Sequence, residues 1–168
     1  MTSHLPYRPC VGIALVNRRG EAFIGRRKPK RAEDLDPRSW QMPQGGIDTG
    51  ENPLTAAKRE LWEETNVRSV DLIAEYPDWL SYDLPFEARG RWAGRYRGQT
   101  QRWFLFRFLG DESEIDINNP AEGAHSPEFD SWRWERLERV PDVVVPFKRT
   151  VYETVTTAFA PLAEKTTG

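Results

Sequence analysis

Soft metal ligands are scarce in this chain: 168 residues hold one cysteine and two histidines. The lone thiol, Cys10, cannot close an internal disulfide, and it opens an apolar run, so it reads as buried packing rather than as a nucleophile. His4 and His125 stand far apart without metal-ligand spacing and read as incidental. No apolar stretch approaches the ~20 residues that a membrane-spanning helix needs. No charged, apolar and small-residue start of the secretory kind opens "MTSHLPYRPC", and a reducing cytoplasm is the expected setting. Neither repeats nor long low-complexity linkers interrupt the chain. Charge of neither sign dominates, since 24 basic and 26 acidic side chains leave a net of −2. That argues against bulk, sequence-blind binding of nucleic acid. It leaves room for local basic patches, and the basic residues are mostly arginine, whose planar fork suits phosphate.

What is present describes one globular domain spanning residues 1–168, with 38% hydrophobic and 30% charged residues. "CVGIALV" (10–16), the turn-like "NRRG" and "EAFIGRR" predict two paired strands. "KPKRAEDLDPRS" (28–39) is expected as loop, and "WQMPQGGIDTGENP" (40–53) as a structured series of turns. Asn52 and Pro53 then suit the cap and first position of a helix that runs to about Thr65. Leu54, Leu61 and Thr65, with Ala57 at the edge, form its expected core stripe. Trp62 lies off that stripe and is expected to cover a second interface. Further strands are expected in "VDLIAEY", "WLSYDL", "RWFLFRFLG" (102–110) and "SWRWERL" (131–137), and a last helix in "PFKRTVYETVTTAF" (146–159). The order of strands, helix, strands, helix suggests an α/β or α+β sandwich around a mixed sheet.

The chemistry concentrates in "KRELWEETNV" (58–67). Glu60, Glu63 and Glu64 share one helical face at spacings of three and four residues. Like charges so placed destabilise an isolated helix by roughly 0.2–0.5 kcal/mol per pair, and near the helix C-terminus the dipole disfavours them again. A divalent cation would turn that repulsion into attraction. The small Ala56 and Ala57 nearby leave room for something bulky to approach. Asn66 stands where a left-handed residue ends a helix.

Residues 45–67, "GGIDTGENPLTAAKRELWEETNV", resemble the Nudix box, G-x5-E-x7-R-E-U-x-E-E-x-G-U, with U a bulky aliphatic residue. Every fixed position matches except the last glycine, which is Asn66 here. The α/β/α form of the sandwich is implied by that resemblance. The resemblance implies that Glu60, Glu63 and Glu64 bind Mg2+ (Mn2+ or another divalent cation can substitute), with Gly45 beside them. It implies a supporting charge pair of Glu51 and Arg59, and it leaves open which glutamate is the general base. Hydrolysis of a phosphoanhydride needs such cations to neutralise phosphate oxygens, and hard cations prefer oxygen ligands.

Beyond the box, "YRPCVGIALVNRRG", "SWQMPQGGID", "SPEFDSWRWE" and "VVVPFKRTVYE" are similar to one subgroup of that family, the bacterial RNA pyrophosphohydrolases and plant-type diadenosine polyphosphate hydrolases. That likeness implies a further metal-binding or catalytic role for Glu128. It implies binding of an RNA 5′ end by Arg8, Arg27, Val145, Phe147 and Lys148. On the residues alone, Phe147 reads equally as a core residue, Lys148 and Arg149 as surface charges, and Glu128 as a loop carboxylate. Residues 86–103 read either as a base-stacking surface or as a long loop. The expected reaction is attack of water on the 5′-triphosphate end of RNA by a monomeric enzyme. Asymmetric cleavage of a dinucleoside polyphosphate is the alternative. A third reading, a non-catalytic sensor of nucleotides, has no use for the glutamate set.

Overall fold

The computed structural model describes residues 4–29 and 39–164. Among the described residues eight strands share one mixed sheet. They are β1 (Tyr7–Val16), β2 (Glu21–Arg27), β3 (Trp40–Gln41), β4 (Gln44–Gly46), β5 (Val70–Glu75), β6 (Leu80–Asp83), β7 (Gly98–Phe108) and β8 (Phe129–Arg136). The main path runs β3-β2-β1-β7-β5, while β4 pairs with β1, β6 with β7 and β8 with β2. Only the β1–β7 pair is parallel among the described pairs. Helix α1 (Pro53–Thr65) covers one face and α2 (Arg149–Phe159) the other.

Side-chain alternation builds both cores from the same strands. Val11, Ile13 and Leu15 of β1 and Phe104 and Phe106 of β7 meet Ala56, Ala57 and Leu61 of α1. Their neighbours Ala14, Val16, Trp103 and Leu105 meet Val151, Tyr152, Val155 and Phe159 of α2. The expected sandwich is therefore borne out. At the β1–β2 turn, Gly20 takes φ +80° and donates its N–H to the Asn17 carbonyl.

Several local expectations shift. The Gly- and Pro-rich stretch at 40–53 contains β3 and β4, strands of two and three residues that are too short to show an alternating pattern. β7 begins at Gly98, so only residues 86–97 lie outside it, and 86–92 form two single 3-10 turns. Leu54 is only partly buried, and the buried face of α1 is Ala56, Ala57, Leu61, Glu64 and Thr65. The two alanines admit the sheet itself rather than a ligand, which draws α1 close to β1. Trp62 is half-buried, with the Arg68 guanidinium 4.2 Å above its ring. Most of the loop expected at 28–39 lies outside the described residues.

Candidate functional site

α1 starts and stops as its caps dictate. The Asn52 side chain accepts from the N–H groups of Leu54 and Thr55 at 2.9 and 3.4 Å, and Pro53 takes the first turn. Asn66 adopts φ 70°, ψ 5° and donates its N–H to the Trp62 carbonyl. Because Ala56 and Ala57 bring α1 down onto the sheet, its glutamates come against β4. A Cβ at Gly45 would fall on the Glu60 carboxylate, so only glycine permits that approach.

Arg59 ties the group together. It grips Glu51 with two N–H groups at 2.9 Å each, donates to the Gly46 carbonyl at 2.9 Å, and reaches both Glu60 and Glu63 at 3.0 Å. These bonds hold the Glu51 carboxyl below its ordinary range. Burial pushes Glu60 up to about 7, and neighbouring Glu63 adds to the rise while Arg59 opposes it. Glu64 is raised well above its ordinary range, by burial first and then by Glu128 and Glu60. Its Oε2 is buried with no hydrogen-bond partner. A carboxylate cluster in that state is short of positive charge. Among the described residues no three histidine, cysteine or acidic side chains already converge as a metal cage. The arrangement nonetheless fits a cation held through oxygen: an orphan carboxylate oxygen, a half-buried partner beside it, and a glycine strand that clears the space.

These groups form one wall of a cleft of about 560 Å3. Glu60, Glu63, Glu64, Gly45 and Glu128 line it, and so do Arg8, Arg27, Phe147 and Lys148. Glu51, Arg59 and Val145 do not. The first two stand behind the glutamates, and Val145 packs against the α2-side core. Lys148 is no surface charge: it is 3% exposed and donates to the Gln41 Oε1 at 2.9 Å. Burial and the nearby Arg27 push its ammonium down to about 7. Phe147 is partly buried, its ring 5.8 Å from that of Tyr82, and it faces the cleft as well as the core. Arg149 is the surface charge, paired with Asp142 and Glu153.

Other cleft residues were given no individual role from the sequence. His125, expected to be incidental, sits 3.6 Å from the Glu63 Oε2. Gln41 is the buried partner of Lys148. Arg89 is 6% exposed, donates to the Leu84 carbonyl and leaves its Nη1 unpartnered. Trp92 carries the Arg8 guanidinium 4.5 Å above its ring. The Arg- and aromatic-rich composition of residues 86–97 was the available cue for the last two. Nothing in spacing pointed to Gln41 or His125, which reach the site only through folding.

Residues 6–155 match the family profile of the NUDIX domain. The chain is 58% identical over 160 residues to a protein of Bradyrhizobium sp. (strain ORS 278) named RNA pyrophosphohydrolase, covering 95% of each. It is 57% identical over 156 residues to one of the same name from Azorhizobium caulinodans, covering 92% of this chain and 93% of the other. Among solved structures, the E. coli dihydroneopterin triphosphate pyrophosphohydrolase superposes with a TM-score of 0.67 at 17% identity, covering 91% of this chain and 99% of that one. A C. elegans Ap4A hydrolase superposes with a TM-score of 0.60 at 18% identity, covering 90% and 96%. At those identities the two structures speak for the fold alone.

Proposed function

The chain belongs to the NUDIX family, and from that premise we propose that it removes phosphate groups from the 5′-triphosphate end of RNA and leaves a 5′-monophosphate. It is a hydrolase of pyrophosphate bonds, like its relatives. The observation that carries the RNA reading is one cleft joining the glutamate face of α1 to a wall of Arg8, Arg27, Phe147 and Lys148. The name of the relatives supports the same substrate.

Hydrolases of this family generally need divalent cations. Mg2+ suits an all-oxygen set, with Mn2+ or another divalent ion able to substitute. Glu60, Glu63, Glu64 and Glu128, with the backbone at Gly45, would hold it. When bound, such a cation neutralises phosphate oxygens and activates water. Arg59 fixes the rotamers of Glu60 and Glu63, and Glu51 fixes Arg59. Arg8 and Arg27 offer charged donors to the polyphosphate. Phe147 offers a ring to a base of the RNA. Lys148, whose ammonium burial pushes down to about 7, gains its full charge as phosphate arrives beside it. A monomer is part of this reading, and the single buried thiol suits a reducing cytoplasm.

The test is parallel turnover of triphosphorylated RNA and diadenosine tetraphosphate with Mg2+, with and without excess EDTA. Preferential release of phosphate or pyrophosphate from RNA, abolished by EDTA, is the expected outcome. A preference for the dinucleotide would replace RNA with a dinucleoside polyphosphate as the substrate.

A further inference from the structure

The segment that packs against α1 beside the glutamates holds an unusual backbone. Ala121, Glu122 and Gly123 all take positive φ, at 54°, 54° and 90°. Side-chain-bearing residues avoid that region because Cβ crowds the backbone. Two such residues in succession persist only where surrounding contacts enforce them. Pro120 and Ala121 are buried and supply part of that constraint. Three residues after Glu122 comes His125, which sits against Glu63, and Glu128 follows on the same wall.

The tether comes from the end of α1. Asn66 Oδ1 accepts the Glu122 N–H at 3.0 Å, and its Nδ2 donates to the Glu114 carbonyl at 3.4 Å. The Asp116 N–H reaches the Thr65 carbonyl at 2.9 Å, and the Glu114 carboxylate accepts the N–H groups of Arg68 and Ser69. Residues 65–69 are thus bonded to Glu114 and Asp116 as well, and Asn66 alone among these described residues carries a bond on to the turn at 121–123. Asn66 is the residue at which the box departs from glycine, and a glycine there would end the helix equally well. What asparagine adds is the carboxamide, and the carboxamide reaches the segment that carries His125 and Glu128.

We propose that Asn66 is a positioning residue: its side chain clamps the left-handed turn at 121–123 and so sets His125 and Glu128 against the glutamates of α1. One residue then ends the helix directly after Glu63 and Glu64 and ties it to the segment that carries His125 and Glu128. The consequence for catalysis rests on the RNA hydrolysis proposed above; the clamp itself does not.

The experiment compares wild type, Asn66→Gly and Asn66→Asp by steady-state hydrolysis of triphosphorylated RNA and by amide hydrogen exchange. Asn66→Gly keeps the helix stop and loses both side-chain bonds. Its circular dichroism and melting point should match wild type closely. Its kcat should fall about tenfold or more, as for the loss of a supporting partner, with KM within about twofold. The Glu122 amide and residues up to 128 should exchange faster. Asn66→Asp retains the acceptor oxygen and should recover much of the kcat and of the protection. A glycine variant with wild-type kcat, an unchanged Glu122 amide, or an aspartate variant no better than glycine would overturn the proposal. If wild type does not turn over triphosphorylated RNA, the substrate reading falls, while the exchange measurement still decides the clamp.

Discussion

Glu64 carries a conflict that a single residue cannot resolve. It is a carboxyl on the buried face of a helix, with one oxygen unpartnered and two other acidic groups raising its proton affinity. Cation binding would relieve that conflict, so the role of these glutamates is open to direct test. Glu60→Gln, Glu63→Gln or Glu64→Gln should each lower turnover at least about a hundredfold, since a bound cation contributes several kcal/mol to the transition state. The folded state should survive, because each change removes repulsion without changing size; near-normal turnover in any of the three would remove that glutamate from the metal set. Lys148 gives a pH prediction. Its folded value near 7 lies below the ordinary 10.5 because burial disfavours the ammonium. Between those values the unfolded chain binds a proton that the folded chain lacks, so this group makes stability rise with pH across that window and stay level below it. Denaturation of wild type and Lys148→Met from pH 7 to 10 should show wild type gaining on the variant. A constant difference between them would mean that Lys148 is not desolvated.

At the scale of elements, the site depends on how closely α1 approaches β4. Ala56 and Ala57 set that distance from one side and Gly45 from the other. Gly45→Ala would push a methyl group into the Glu60 carboxylate, and either the strand or the glutamate must move. Calorimetric titration with Mg2+ should show affinity weakened about tenfold to a hundredfold, the range seen when support around a metal ligand is lost. Unaltered Mg2+ affinity would show that β4 does not shape the metal-binding face. The cap at the other end of the approach is separable. Asn52→Ala removes the acceptor for Leu54 and Thr55, which should cost about 1 kcal/mol in chemical denaturation and leave kcat unaffected.

Over the whole molecule, the cleft is assembled from both ends of the chain. Arg8 comes from β1, the glutamates from α1, and Phe147 and Lys148 from the turn before α2. This arrangement suits a substrate with a phosphate chain at one end and a base further along. Phe147→Ala should slow hydrolysis of triphosphorylated RNA far more than that of a free nucleoside triphosphate, because stacking of a base on an aromatic ring contributes about 1–3 kcal/mol and the free nucleotide lacks the second base. Equal losses on RNA and on diadenosine tetraphosphate would point to a site for a nucleoside at either end of a phosphate chain.

Much of this was legible along the chain because it rests on local spacing. Helix period brings Glu60 and Glu64 to one face, strand period splits β1 and β7 between two cores, and Asn52, Pro53 and Asn66 mark where α1 begins and ends. The family follows from the same spacing. The short strands β3 and β4 were hidden, since two or three residues carry no period and their pairing comes from β2 and β1. The environment of single groups was hidden too. Lys148 reads as a surface charge until the sheet places Gln41 against it, and His125 reads as incidental until the left-handed turn carries it to Glu63. Asn66 shows both kinds of information in one residue. Its backbone role as a helix stop follows from neighbours in sequence, whereas its carboxamide meets Glu122, 56 positions further along, only after the intervening chain has folded back. Periodicity and capping are properties of consecutive residues, but burial, proton affinity and long-range hydrogen bonds depend on which distant segments the core brings together.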